Sequence, residues 1–276
     1  MERLDDKRVV ITGAASGMGR AYATEFAKEG VAGLILCDVD EAGLAETADL
    51  VRPHGDPPVF SAVVDVADEQ AMLDFADESR AALGDAHIVI NNAGIVGSMD
   101  RGVDTSVKAI EHVFAVNFYG VVHGTLAFMP QLEAVDEAAL VNVSSIFGLL
   151  GVPGNADYCA TKFAVRGYTE TLMAELADSH IQVHLLHPGG IDTNIVSGTT
   201  VADDPDAMKM FATDPADVAK AVIEAILKNR RRIVTGHLSR PARFLHNFVP
   251  VGAVARLLNR EMRKGETSGT GPFAKK

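Results

Sequence analysis

The sequence predicts an α/β fold: one doubly wound parallel sheet of about seven strands with helices on both faces. Three observations predict it. Short β-branched runs alternate with longer helical patterns along the chain, and several of those runs are apolar at successive positions. The 276 residues, 47% of them hydrophobic, also suffice for one core without demanding a second. Consecutive apolar positions are what a strand needs when helices cover both its faces.

Taken in order, the first strand covers 8–11, carried by Val9, Val10 and Ile11, and runs into a glycine-rich turn and a helix over 13–29. A strand over 33–37 leads to a helix over 41–51, and a strand over 59–64 to a helix over 69–83. The fourth strand, 87–90, closes on Asn91-Asn92-Ala93-Gly94. A long apolar helix over 106–132 precedes a strand over 139–143, and a helix over 158–178 separates that from a strand over 182–186. The segment 192–214, rich in Ser, Thr, Asp and Gly, is too long for an ordinary connection and is read as the substrate loop. Pro215 after Asp214 opens a helix over 215–229, and a strand over 232–234 completes the set.

Residues 1–240 are expected to form one domain and 241–276 a basic extension. From Lys228 onward there are twelve Lys and Arg against two Glu, whereas thirteen basic residues face thirty-five acidic ones before it. Within the extension, 243–264 mixes Phe244, Leu245, Phe248, Val254, Leu257 and Leu258 with cations, an amphipathic helical pattern, while 265–276 reads as disordered. That pattern raises contact with an acidic membrane surface, with packing against the core or a neighbouring subunit as the favoured reading.

The whole chain carries a net charge of -12, which argues against a nucleic-acid partner, since phosphate binding needs clustered cations over most of one face. Cys37 and Cys159 are the only cysteines, and neither their number nor their separation suits a disulfide framework or a metal site. No cluster of His, Cys, Asp and Glu has metal-ligand spacing, so metal-free chemistry is expected. The first strand starts too near Met1 to leave room for a signal peptide, and no uninterrupted apolar run reaches membrane-spanning length; a cytoplasmic setting is expected. There is no internal repeat.

Thr12-Gly13-Ala14-Ala15-Ser16-Gly17-Met18-Gly19 turns a buried strand directly into a helix, which aims backbone amides and the positive helix end at an anion. Gly13, Gly17 and Gly19 permit the tight turn and the close approach of a pyrophosphate, with Ser16 and Met18 between them in the same cradle. The spacing is G-x-x-x-G-x-G, and three glycines alone also serve plain strand-to-helix turns. Asp38, at the end of the second strand about twenty residues on, is placed to accept hydrogen bonds from the ribose hydroxyls of a dinucleotide. A carboxylate there repels a 2′-phosphate, and neither Ser16 nor Val39 supplies the cation NADP would want, so the cofactor read from these residues is NAD.

Taken together, Thr12 to Gly19, Asn91-Asn92-Ala93-Gly94, Asn117, Ser145, Tyr158-x-x-x-Lys162 and Pro188-Gly189 resemble the short-chain dehydrogenase/reductase family of NAD type, in family order and over about residues 7–236. The resemblance implies a Rossmann-like domain in which Asp65 and Val66 border the adenine. It places Asn92, Ala93 and Gly94 beside the cofactor, and Thr193, after Pro188, Gly189 and Ile191, against its carboxamide. It assigns Ser145 to the substrate oxygen, Tyr158 to proton transfer, Lys162 to supporting that tyrosine, and Asn117 to a water that relays protons through the lysine. It also implies a homo-oligomer, a tetramer or dimer, through the helices over 106–132 and from Tyr158.

Tyr158 and Lys162 stand four apart in a helical pattern, hence on one face about a turn from each other. A phenol of pKa near 10 is a poor base, but a cation about 4 Å away is worth roughly 4 kcal/mol at intermediate polarity, about three pKa units. Lys162 is therefore expected to bring Tyr158 toward neutrality. Ser145, at the end of the strand over 139–143, lies where open α/β sheets place their ligand crevice, and Ser144 beside it is read as structural. Cys159 and His187 are read as packing residues. Ile95, Val96, Ile146, Phe147, Leu149, Leu150, Ile195, Val196, Met208 and Phe211 flank the site, which suggests a lipophilic secondary alcohol or ketone as the small-molecule substrate. Two other readings of the same residues are an NAD-sensing binding protein without turnover and a non-redox lyase on the same scaffold.

Overall fold

Strands β1 (Arg8–Thr12), β2 (Gly33–Asp38), β3 (Val59–Val63), β4 (Ile88–Asn91), β5 (Ala138–Val143), β6 (Ile181–Pro188) and β7 (Arg232–Thr235) form one sheet in the order β3-β2-β1-β4-β5-β6-β7. Every pairing is parallel. The structure, a computed structural model, describes residues 1–193 and 212–268. The chain reverses its direction of winding between β3 and β4, so β1 and β4 are neighbours and a crevice opens beyond their carboxyl ends.

Alternate residues of the central strands serve opposite faces. Val9, Ile11, Leu34, Leu36, Ile88 and Ile90 are buried against α1 (Gly17–Lys28), α2 (Glu41–Val51) and α7 (Pro215–Leu227). Val10, Ile35, Val89 and Leu140 face α3 (Glu69–Leu83) and α5 (Gly120–Glu133), while α4 (Val107–Phe114), which precedes α5, packs on the helix that starts at Ala156. Phe75 of α3 and Phe128 of α5 meet edge to face at 5.7 Å, and burying rings of this size stabilises by roughly 2–3 kcal/mol each. This two-sided burial is why the strands read as apolar runs.

A polar ladder crosses the second face. Asn91 Nδ2 donates to Asn142 Oδ1 at 2.9 Å and to Thr125 Oγ1 at 3.1 Å, and Asn142 Nδ2 donates to Thr169 Oγ1 at 3.1 Å. It ties α5 and α6 (Ala156–Glu175) to β4 and β5, the strands that end at the crevice.

The observed elements correct several expected boundaries. The first helix starts at Gly17, not at 13, because Gly13 and Gly17 have φ of +67° and +50° and keep the intervening turn non-helical. The helix expected over 106–132 is broken by a π-helical turn, Ala115–Tyr119, so the chain gains one residue there relative to a regular helix. Together, Val107–Glu133 is long and apolar enough to cross a membrane by length and composition, although Lys108, Glu111 and Asn117 interrupt it, so it is not an uninterrupted apolar run. Here Val113, Val121, Phe128 and Leu132 are buried in the protein, as in a core helix.

In the tail, the single amphipathic helix expected over 243–264 is two helices, α8 (Ser239–Phe248) and α9 (Val251–Ser268). Pro250 lacks an N–H and holds Val249 extended, which ends α8. Residues 265–268, expected to be disordered, continue α9. The substrate loop expected over 192–214 lies outside the described residues from 194 to 211, as do the positions of Ile195, Val196, Met208 and Phe211.

Candidate active site

A cleft of about 600 Å³ opens at the carboxyl ends of β1, β2 and β4. Eleven residues singled out from sequence line it: Gly13, Ser16, Gly17, Met18, Asp38, Asp65, Val66, Asn92, Ala93, Gly94 and Thr193. Ile95 and Val96, expected near the substrate, also line it, as do Val39, Val64, His112 and Val116. None of these lining residues is Lys or Arg.

The glycines are required by close backbone approach. A β-carbon at Gly19 would fall on the carbonyl of Gly13, so Gly19 lets the first helical turn press against the loop without lining the cleft itself. A β-carbon at Gly13 would meet Ala93 Cα at 2.8 Å, and one at Gly17 would meet Thr193 Cβ at 3.1 Å. Thr12 knits the turn to the β4 end: its Oγ1 accepts from the Asn92 and Ala93 amides, both at 3.0 Å, while Asn92 Nδ2 donates to Thr12 O at 2.9 Å. Asp38 Oδ2 accepts from Ala15 N at 2.9 Å and Oδ1 from Asp40 N at 3.2 Å, which fixes the carboxylate at the rim.

Ser145, Tyr158, Lys162 and Asn117 gather at the other end, beyond Gly94. A β-carbon at Gly94 would lie 3.1 Å from Asn117 Oδ1 and 3.5 Å from Lys162 Nζ, so this glycine is the point where the cleft meets the cluster. Ser145 follows β5 and caps the short turn Ile146–Gly148, its Oγ accepting from Phe147 N at 3.1 Å. Ser144 turns away, donating to the Lys162 carbonyl at 2.8 Å, which fits its structural reading. Phe147 stands edge-on to the Tyr158 ring at 5.9 Å.

The electrostatics differ from the expectation for Tyr158. Lys162 is buried, with Nζ donating to Val143 O at 3.1 Å and standing 5.6 Å from the centre of the Tyr158 ring. Burial dominates both groups: it pushes the phenol up to about 12, against the opposing hydrogen bond from Ser145, and pulls the ammonium down to about 8. In this geometry the phenol is therefore not brought toward neutrality, because the exclusion of water outweighs the groups that favour its charged form.

Asn117 occupies the π-helical turn, fully buried. Its Oδ1 accepts from Ile95 N at 2.7 Å and its Nδ2 donates to Ile95 O at 2.8 Å, so the amide acts as a two-point brace on the cleft wall. The remaining expected residues do not line the cleft. Pro188 ends β6, Gly189 packs on the His237 carbonyl, and Ile191 buries its side chain in the core while bridging to Thr213.

Sequence reasoning missed Asp157. Its carboxylate is buried and accepts from Ser98 N at 2.7 Å and from Tyr158 N at 2.8 Å, mooring the segment after Gly94 to the start of α6. Gly97 leaves room for it, since a β-carbon there would collide with that carboxylate. His187, read as packing, holds Ser145 in place. Its Nδ1 donates to Ser145 O at 2.8 Å, and burial lowers its pKa to about 4, so the ring is neutral near pH 7. Cys159 has its thiol raised by burial and contacts the Leu150–Val152 backbone, consistent with a packing role.

A model of the short chain dehydrogenase family matches residues 7–203. The SadH protein of Mycobacterium tuberculosis, named as an oxidoreductase, is 41% identical over 248 residues, covering 86% of this chain and 88% of SadH. Human epidermal retinol dehydrogenase 2 is 34% identical over 246 residues, covering 88% of this chain and 78% of its own. Among solved structures, a short-chain dehydrogenase/reductase from Burkholderia phymatum in complex with NAD superposes with a TM-score of 0.79 at 30% identity, covering 100% of this chain and 99% of the other. With seven parallel strands, a glycine-rich turn at the first and a serine, tyrosine and lysine gathered beyond the fourth and fifth, the chain belongs to the short-chain dehydrogenase/reductase family of oxidoreductases.

Proposed function

We propose that the protein interconverts a lipophilic secondary alcohol and its ketone with NAD(H), using Ser145, Tyr158 and Lys162. The observation that carries this reading is the junction at Gly94, where a dinucleotide-sized cleft meets the Asn117 and Lys162 side chains. The cleft fits the cofactor: glycines that a β-carbon would jam, a carboxylate fixed at the rim, and no Lys or Arg among the described lining residues to receive a 2′-phosphate. The Burkholderia relative of the same fold holds NAD.

In this reading Gly13, Ser16, Gly17, Met18 and the helix end beyond Gly19 hold the pyrophosphate, Asp38 the adenosine ribose, and Asp65 and Val66 the adenine. Asn92, Ala93, Gly94, Thr193 and the segment Pro188, Gly189 and Ile191 shape the nicotinamide end. NAD, when bound, accepts hydride on oxidation, NADH returns it on reduction, and the oxidised ring's positive charge favours phenolate. Ser145 Oγ and Tyr158 Oη grip the substrate oxygen. With its pKa near 12 the phenol keeps its proton at neutral pH and stands ready to donate it to a ketone oxygen. In the reverse direction Tyr158 Oη receives the alcohol proton, and Lys162 stabilises the resulting charge from its place beside the ring. Asn117 keeps Ile95 at the wall through both ends of its side-chain amide. Phe147, Ile95 and Val96 give the substrate end its apolar character. The reading includes a homo-oligomer in the cytoplasm, with exposed Tyr119, Leu126 and Phe163 on the outer helices as the apolar contact surface.

The test is a panel of secondary alcohols offered with NAD or NADP, followed at the absorbance of reduced nicotinamide. NAD should be preferred by about tenfold or more, because Asp38 repels the added phosphate. A preference for NADP would overturn the assignment of Asp38, and no NADH formed from any secondary alcohol, with no NADH consumed by the matching ketones, would overturn the activity.

A further inference from the structure

Residues 239–260 contain Arg240, Arg243, Arg256 and Arg260 and no Asp or Glu, in a chain of net charge -12. They form α8 and the first turns of α9, bent at Pro250. Ala242 and Val254 tuck inward, whereas Phe244, Phe248, Val251 and Leu257 are exposed, Phe248 at 72% and Val251 at 85%. Phe244 and Phe248 lie one helical turn apart with ring centres 5.3 Å from each other, and Val251 follows directly across the bend. Phe244, Phe248 and Val251 thus cluster in a corner at the bend, with exposed Arg240 and Arg243 on the helix that carries the rings and exposed Arg256 and Arg260 on the helix that follows. On its inner side α8 packs against β7 and the Ile146–Gly148 turn that follows Ser145, so the helix that carries Phe244 and Phe248 borders the substrate end of the site.

We propose that this corner docks the protein on an anionic lipid surface, with Phe244, Phe248 and Val251 entering the acyl boundary and the four arginines meeting lipid phosphates. An interfacial helix needs this combination: apolar side chains to insert, and cations whose stems lie along the boundary while their heads stay among the headgroups. The acidic remainder of the chain is repelled by the same surface, which confines contact to this corner and turns the substrate end toward the bilayer. A second copy applied to the same patch through a two-fold axis would instead set these arginines against their own counterparts. That a bilayer-dissolved alcohol reaches Ser145 and Tyr158 this way rests on the function proposed above; the docking itself does not.

The test is co-sedimentation of the full chain with vesicles of phosphatidylcholine alone or mixed with phosphatidylglycerol, read without NAD or alcohol. The wild type should pellet with the anionic vesicles, less so as salt rises, and stay in solution with phosphatidylcholine alone. Each arginine changed to Gln should weaken binding by about fivefold at low salt. Phe244→Ser with Phe248→Ser should weaken it by about tenfold or more while leaving the far-ultraviolet spectrum unchanged. Wild type left in the supernatant, or variants that pellet like it, would overturn the proposal. So would a fall in solution mass of the phenylalanine variant with vesicle binding intact, which would show that a second copy covers the corner. Vesicle binding by a protein that oxidises no alcohol would support the docking and count against the proposed reaction alone.

Discussion

At Asp157 a buried carboxylate ties the Ser98 amide, 59 residues away in sequence, to the amide of Tyr158 itself. Hydrogen bonds to an ionised acceptor are each worth roughly 1.5–3 kcal/mol, so this residue governs where the phenol sits relative to the cleft wall. Asp157→Ala should lower kcat by about tenfold or more through misplacement of Tyr158, with NAD affinity within about twofold of wild type because the cofactor's contacts lie elsewhere. Asp157→Asn, which keeps one acceptor oxygen, should lose less. Steady-state kinetics beside NAD titration checks this, and an unchanged kcat in the alanine variant would contradict the positioning role. Nothing local in the sequence marks Asp157, since an acid in a first helical turn is ordinary there; its importance lies in a contact that only the fold makes. Tyr158 and Lys162 were legible from their spacing and neighbours. Their charge balance was not, because it depends on how much water the folded site excludes, and exclusion here outweighs attraction.

At the scale of elements, the seven strands were legible to within about two residues, since burial on both faces leaves uninterrupted apolar runs such as Val9 to Ile11 and Ala139 to Val141. The π-helical turn at Asn117 was not, because no residue type encodes one extra residue in a helix; the apolar periodicity merely continues through it. The bend at Pro250 was hidden by the amphipathic pattern, which continues on either side of the proline. Helix α5 approaches the sheet closely only because of Gly124, where a β-carbon would collide with Asn91 Oδ1 at the head of the Asn91–Asn142–Thr169 ladder. Gly124→Ala should therefore destabilise the fold by roughly 1–3 kcal/mol, despite alanine's better helix propensity. Urea unfolding measures it, and a stabilised variant would show that α5 has room to move.

For the molecule as a whole, His184 and His187 are buried and neutral, each with its pKa lowered from 6.5 to about 4 by burial. Between those values the unfolded chain binds more protons than the folded one. The contribution to stability is thus complete above pH 6.5 and is lost as pH falls toward 4, by about 2 kcal/mol per histidine at pH 5. Urea unfolding at pH 7 and pH 5 should show that fall, and His184→Gln with His187→Gln should reduce it; an equal fall in the variant would assign the acid sensitivity to other groups. The central claim concerns the cleft and the Tyr158 cluster acting as one site, and it is tested most directly by Tyr158→Phe, with NADH formation from a secondary alcohol and NAD affinity measured on the same preparation. Turnover should fall by about a thousandfold or more while NAD binds as it does to the wild type. Retained turnover in that variant would contradict the account.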